Sequence, residues 1–472
     1  MSADIESPAV PRGVFRSKPS EAARRATLRG KVPEWLHGDL VRTAPAIFAE
    51  GAWRAHHWFD ALGLMYAFRI GHDGSVQFRQ QVLESRLRGR LLQGLDDTPH
   101  FGTPMRRSFF SRLLQPVPSS NDNTNVSCFP MAGGLVAMTE SASQHLIDRE
   151  TLRSTGLVPY QDKLGGSLFM LAHPHADFSR GVVVNVASEL GPKPALVVYE
   201  HALNDRVRKL IARISLAEVP YMHSFGLTAR HAILLAGPHV VRPLNLLWSD
   251  GAYIDHFRFK RELGTTIYRV DRASGAVMKH RAPALFVFHT INTFEREGET
   301  IHDALVYDDA TIIDRLRTEH LATVPLDLRA KPMRFTLRHS SDEARTDPLG
   351  EADFEFPAIP YRRLGGSDYR FAWGASNGPM NGSNKSEVIR LETASGKTMR
   401  VGESGFAFGE PIFVPRPGSA SENEGVLLSV ASHPDHDRAA LAVIDAETLD
   451  IRAWAEVDVP IPLGFHGSFL AG

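Results

Sequence analysis

An all-β chain closed into a propeller is predicted by three features of this sequence. Short apolar or alternating runs recur along it at strand length. Val, Ile and Phe dominate those runs, and Gly, Pro, Asp and Asn punctuate them. Helical periodicity is almost absent. The clearest runs are 64–70, 135–139, 181–187, 195–200, 232–236, 285–293, 425–431 and 440–444. Asp73-Gly74 and the stretch from Arg272 to Gly275 have the composition of hairpin turns. The best helical stretch is 311–322, with an apolar face at Ile312, Ile313, Leu316 and Leu321.

Many short strands in 472 residues leave many edges to protect, and closing the array removes them. A propeller satisfies both the length and the strand count. No Trp-Asp-type repeat is present, so periodicity sets no blade number. Residues 1–29, rich in Arg, Ala, Ser and Pro, read as a flexible N-terminal arm, with residues 30–472 as a single domain. The patternless stretches 86–118, 240–259 and 325–353 read as insertions that cap one face.

Composition excludes several functions. Lys and Arg number 53 against 54 Asp and Glu, for a formal net charge of -1, so there is no electrostatic case for nucleic acid. The single cysteine, Cys128, rules out an internal disulfide and any thiolate metal site built within the chain. No apolar run approaches the roughly 18–20 residues of a spanning helix, and the polar N-terminus lacks a secretory pattern. A cytoplasmic location is expected. The sequence sets no oligomeric state.

Histidine is the unusual component, with 21 copies. Any metal would therefore be held by imidazole and carboxylate. Four histidines sit at strand ends in apolar surroundings: His173 in Leu-Ala-His-Pro-His, His223 in Tyr-Met-His-Ser-Phe-Gly, His289 in Phe-Val-Phe-His-Thr-Ile and His466 in Gly-Phe-His-Gly-Ser-Phe. The inner strands of a propeller converge, so one histidine from each of several blades can meet at one point. Spacing alone does not separate these from hydrogen-bonded core histidines. His56, His57, His433 and His436 lie in polar, loop-like stretches and read as structural or solvent-facing.

Further motifs run in order along the chain. They include Gly30-Lys-Val-Pro-Glu-Trp-Leu-His-Gly-Asp-Leu-Val-Arg42, His57-Trp58-Phe59-Asp60, Asp122-Asn123-Thr124-Asn125-Val126 and Thr139-Glu140. After the first three histidines come Phe354-Glu355-Phe356-Pro357 and Gly409-Glu410-Pro411-Ile412-Phe413-Val414. With these the sequence resembles the carotenoid cleavage oxygenase family, from about residue 30 to residue 470. His-Ser-Phe-Gly and Phe-His-Gly are closer to its carotene oxygenase and retinoid isomerase branch than to its plant branch.

The resemblance implies a seven-bladed β-propeller with a loop and short-helix cap over the iron-bearing face. It implies Fe(2+) held by His173, His223, His289 and His466. Glu140, Glu355 and Glu410 would accept the other ring N–H of three of them, as metal-bound histidines usually require. Thr139 would lie close to the open metal positions. His175, two residues after His173, is not a ligand in that pattern. The implied reaction is dioxygen-dependent cleavage of a conjugated C=C bond of a carotenoid or apocarotenoid into two aldehyde or ketone products. Stilbenoid cleavage, retinoid ester isomerisation and a silent apolar-ligand-binding propeller are the alternatives. Stilbene-cleaving members tend to carry lysine where this chain has Thr139, and a full set of histidines and glutamates counts against the silent reading.

The partners implied are an apolar polyene and dioxygen. Phe59, Phe109, Phe110, Phe225, Phe288, Phe294 and Phe469 lie near the motifs, with core packing the more general reading for each. Residues 244–248 beside Arg242, and Arg106, Arg107 and Arg112 among Phe109, Phe110, Leu113 and Leu114, read either as a peripheral membrane lip or as buried insertions. The chain departs from the family at Thr43-Ala44-Pro45-Ala46 and Phe59-Asp60-Ala61, where the family has glycine, and altered turns are expected there.

Overall fold

The eight predicted runs all form strands: Leu62–Ile70, Gly134–Met138, Val182–Glu189, Ala195–Ala202, His231–Ala236, Phe286–Arg296, Gly425–Ser432 and Ala439–Asp445. The computed structural model describes residue 11 and residues 13–105, 120–164, 168–246, 251–324, 326–380 and 383–472. His231–Ala236 is buried at every position, as is Ala439–Asp445 except at its last residue. Such continuous burial arises when both faces of a sheet are covered by neighbouring sheets. Asp73 Oδ1 accepts the Ser75 N–H at 2.9 Å in the first predicted turn. Asp271 Oδ1 accepts the Ala273 and Ser274 N–H groups in the second.

The strands form antiparallel sheets, and among the described residues seven of these have four to six strands. Most are built from consecutive strands. Two mix the ends of the chain. Gly467–Ala471 pairs with Gly38–Ile47, Leu40 opposite Phe469. Thr27–Gly30 pairs with Ile451–Val457, Leu28 opposite Ala455. These two seams close the propeller and cover edges that would otherwise stay open.

The second seam departs from the reading of residues 1–29 as a flexible arm over its described part, with residues 1–10 and 12 outside the described residues. Arg24–Arg25 and Thr27–Gly30 are strands. Phe15 is buried, with its ring edge-on to Trp58 at 5.2 Å. Composition hid this because a short strand on the sheet edge needs backbone hydrogen bonds rather than apolar side chains. The stretch 325–353 is likewise not an insertion: Lys331–Arg338 and Ala344–Pro348 complete the sheet begun by Phe286–Arg296. Residues 240–259 do form short turns, Pro243–Leu246 and Tyr253–His256, and 86–105 carries the helix Arg86–Leu92.

The predicted helix 311–322 is broken into Thr311–Arg315 and Thr318–Thr323. The Trp58 N–H donates to Leu316 O at 3.0 Å and the Thr318 N–H to His56 O at 3.0 Å. These bonds hold Arg317 extended, at φ -68° and ψ 143°. The four apolar residues of its predicted face are buried nonetheless. Thr43–Ala46, expected to alter a turn, lie inside the buried strand Gly38–Ile47.

Gly30 closes the second seam at φ +82°, where a Cβ would stand 2.3 Å from Arg452 O. Gly30→Ala is expected to destabilise the protein by about 1–3 kcal/mol. A fall in the thermal unfolding midpoint checks this, and an unchanged midpoint would show the seam to be dispensable.

Candidate metal centre

His173, His223, His289 and His466 come from four separate places in the chain and converge, with ligand nitrogens all within 4.8 Å of one another. His173 lies between the strands Leu168–Met170 and His175–Asp177, and His223 between Val219–Pro220 and Gly226–Leu227. His466 immediately precedes the closing strand Gly467–Ala471. His289 is inside Phe286–Arg296, where the pairing register shifts between Val287 and Thr290. That irregularity turns the imidazole inward while the strand continues. The Ser224 hydroxyl pins the same place, donating to Phe288 O at 2.7 Å and accepting the Thr290 N–H at 2.9 Å.

Three carboxylates fix the rings. The His289 Nδ1–H donates to Glu355 Oε2 at 2.6 Å and the His466 Nδ1–H to Glu410 Oε1 at 2.7 Å. The His223 Nδ1–H donates to Glu140. A carboxylate can only accept, so each bond places the ring proton on Nδ1 and leaves Nε2 as a lone pair. Burial is the main cause that holds His289 down to about 4, against the opposing pull of Glu355. Burial also lowers His466 and holds His173 well below the usual imidazole range. These three rings are therefore neutral at physiological pH.

The Nε2 atoms of His289 and His466 lie 3.0 Å apart, as do those of His173 and His223. For the first pair both protons are committed to glutamates, so two lone pairs face each other across that gap. Such an arrangement is repulsive by itself and favourable around a cation. Imidazole nitrogens about 2.1 Å from one ion and at right angles to each other fall about 3 Å apart. The donor set thus fits a divalent metal of the kind imidazole suits, a class that includes iron.

Glu355 and Glu410 are themselves held. Phe356 follows Glu355 at φ 57°, the left-handed region that an aromatic residue rarely adopts. This strained step brings the Phe356 N–H to Glu355 Oε2 at 3.3 Å. Glu410 Oε2 accepts the Gly467 N–H at 3.1 Å and faces Arg42 Nη1 at 3.3 Å. Burial alone would raise the Glu410 carboxyl, but His466 and Arg42 outweigh it and hold it below its ordinary value. Arg42 was not singled out by the sequence reading. It is 1% exposed and reaches Phe465 O at 2.8 Å and Glu410 O at 3.1 Å. Its signal was a cationic residue in the otherwise apolar Leu40-Val41-Arg42 run.

His223, His289 and His466 open onto a cavity walled by aromatic rings, including Phe59, Tyr221, Phe288, Phe356 and Phe465. Thr139, Glu140 and Glu355 lie on the same wall. Phe101 and Leu246, from the stretches 86–118 and 240–259, also line it. Of the candidate phenylalanines, Phe59 and Phe288 face the cavity, whereas Phe225 and Phe294 are core residues and Phe469 packs against another core cluster. Phe109 and Phe110, with Arg106, Arg107, Arg112, Leu113 and Leu114, lie outside the described residues. Leu244 is 72% exposed; residues 247–248 of the same stretch are outside the described residues. No helix among the described residues is long and apolar enough to cross a membrane.

His57, His175 and His433 behave as structural groups. His57 Nε2–H donates to Ile313 O at 2.9 Å and its Nδ1 accepts the Phe59 N–H. His175 Nε2–H donates to Phe225 O at 2.8 Å and its Nδ1 accepts the Tyr361 hydroxyl at 2.6 Å. His433 Nδ1 accepts the Asp435 and His436 N–H groups.

A closed all-β ring with four converging imidazoles in an aromatic cavity defines a metalloprotein class. Residues 15–471 match the family described as retinal pigment epithelial membrane protein, and the chain belongs to that family. It is 27% identical to a mitochondrial carotenoid-cleaving dioxygenase of Mustela putorius furo, over 94% of this chain and 93% of that protein. It is 26% identical to the β,β-carotene 15,15'-dioxygenase of Homo sapiens, over 94% of this chain and 92% of that protein. Among solved structures, cobalt-substituted apocarotenoid oxygenase of Synechocystis shares the fold, with a TM-score of 0.85 at 22% identity over 97% of this chain and 98% of that one. The resemblance to carotenoid cleavage oxygenases read from the motifs is therefore upheld.

Glu355→Ala is expected to weaken divalent metal affinity by about 10–100-fold, because His289 loses the partner that fixes its tautomer. Competition against a chelator checks this. The metal-free protein should also be acid-sensitive. Burial holds His57 and His175 at about 4 and His302 at about 3. Their folded values lie below the unfolded one near 6.5, so the unfolded chain takes up protons first as pH falls. The stability these groups contribute is complete above about pH 6.5 and is lost progressively between about pH 6.5 and 3. Thermal unfolding in chelator across that window should show a falling midpoint; a flat profile would contradict neutral burial.

Proposed function

We propose that this protein is a non-haem iron(II) dioxygenase that cleaves one conjugated C=C bond of a carotenoid or apocarotenoid, giving two aldehyde or ketone products. One observation carries the reading. Four imidazole nitrogens converge on a single point at the wall of an aromatic cavity, with the protons of three rings drawn to the opposite side by glutamates. The names of the relatives, carotenoid-cleaving and carotene dioxygenases, supply the substrate class.

Iron(II) bound by His173, His223, His289 and His466 would supply a redox-active centre for dioxygen chemistry. The protein supplies the rest. Neutral imidazoles add no negative charge, and Glu140, Glu355 and Glu410 fix three ring orientations from behind. The aromatic walls bind a polyene by removing its apolar surface from water, at about 25 cal/mol per Å², and keep water from the reacting bond. Thr139, beside Glu140 on the wall, narrows the approach to the centre. The reaction balances without a reductant: four electrons leave one double bond, one dioxygen accepts them, and each of its atoms ends in one carbonyl.

The test is iron quantitation on anaerobically purified protein, then exposure to dioxygen with β-carotene, a shorter apocarotenal and a hydroxystilbene in parallel, with products read by mass. Near-stoichiometric iron and an aldehyde from a polyene are expected, each product carrying label from ¹⁸O₂. His289→Ala should lose both iron and turnover. Wild-type protein that takes up no iron(II) would overturn the proposal, and turnover of the stilbene alone would overturn its substrate class.

A further inference from the structure

Each glutamate that holds a ligand histidine has a second polar group behind it. For Glu410 that group is Arg42. For Glu355 it is a tyrosine. Tyr307 ends the strand Glu299–Tyr307 and pairs in register with Phe286, on the strand that carries His289. Its ring lies 6.0 Å from that of Phe288 and 6.4 Å from that of Phe286. The Tyr307 hydroxyl is buried and has no hydrogen-bond partner, and Glu355 Oε1 is in the same condition. The other carboxylate oxygen, Oε2, is engaged by His289 and the Phe356 N–H. One orphan is a donor and the other an acceptor, and both lie around the same ligand segment, Tyr307 packing on Phe288 and Glu355 bonded to His289. Burial raises the Tyr307 phenol well above its ordinary value and the adjacent Glu355 charge raises it further.

At Glu140 the donor half of this arrangement recurs. Tyr221, two residues before His223, is 6% exposed, and its hydroxyl is also buried and unpartnered. Tyr221 and Glu140 line the same cavity as His223. Buried polar groups are rarely left unpaired: the Tyr307 and Glu355 orphans complete each other, and Glu140 is the acceptor on the wall that Tyr221 shares.

We propose that Tyr307 and Tyr221 are positioning residues of the metal centre: their hydroxyls donate to Glu355 and Glu140 and so fix the orientation and basicity of His289 and His223. This rests on the four-histidine centre binding a metal. The phenol anchors the carboxylate that anchors the imidazole, so removing it lets the carboxylate rotate away from the ring N–H. The loss should be smaller than that of removing the glutamate itself.

The experiment is cobalt(II) titration of the metal-free full chain against a competing chelator, read by affinity and by the visible cobalt spectrum. Tyr307→Phe and Tyr221→Phe delete one oxygen each, and thermal unfolding of the metal-free forms reports their folding. Each is expected to bind cobalt about 3–10-fold more weakly, below the 10–100-fold typical of a lost ligand partner, with a shifted spectrum. Tyr307→Phe should add nothing in a Glu355→Ala background. Tyr369→Phe, whose hydroxyl bonds Asp303 elsewhere in the core, should leave the spectrum unchanged. Wild-type affinity and spectrum in both phenylalanine variants would overturn the inference. Failure of the wild-type chain to bind cobalt would instead overturn the metal-centre reading beneath it. If Tyr307→Phe does not fold, Tyr221→Phe decides the question alone.

Discussion

Two imidazole lone pairs 3.0 Å apart, at His289 and His466, are the constraint around which this protein is organised. Nothing in a hydrophobic core favours that contact. It persists because each ring is held from its far side by a glutamate and because the chain carrying each ring is held in turn. His289 rides on an irregular strand pinned by Ser224. His466 is drawn in from both neighbours: its N–H donates to Val126 O at 3.0 Å, and its carbonyl accepts the Thr43 N–H at 3.3 Å. A site assembled against its own repulsion is a preorganised site, ready for a cation without rearrangement.

Ring closure serves the same end. The strand that immediately follows His466 pairs with Gly38–Ile47. Arg42 on that N-terminal strand then reaches Glu410 and Phe465, tying the first strand, the last strand and a ligand-holding carboxylate into one buried network. Without that pairing the strand after His466 would have no partner to hold it. The seam at Thr27–Gly30 reinforces this from the neighbouring sheet. Ala132, Leu152, Phe356 and Leu449 all adopt left-handed backbone among the described residues, and of these Phe356 adjoins the ligand-holding Glu355.

The cavity extends the logic from metal to substrate. Its aromatic wall desolvates whatever enters, and low polarity strengthens every charge interaction within it. It also explains why the carboxylates stand behind the histidines rather than among the ligands: a neutral donor set keeps the full charge of a bound dication facing the cavity. Phe101 and Leu246, on segments outside the sheets, complete the wall.

Much of this was legible in the sequence. Alternating apolar runs fixed the strands, because a half-buried pleated surface demands that period. The four histidines and three glutamates carried motifs specific enough to be read one by one. The geometry was not legible. Whether His173 or His175 turns inward depends on contacts with Phe225 and Tyr361, 50 and 186 residues away. The arm composition of residues 24–30 concealed strands that exist only because Val76–Val82 and Ile451–Val457 present open edges. The break at Arg317 in an otherwise helical run comes from backbone bonds to His56 and Trp58. Local pattern determines what a segment buries and which residues can ligate. Tertiary structure alone decides which distant backbone groups pair, and therefore which side chains meet, since those partners carry no signature at the positions they complete.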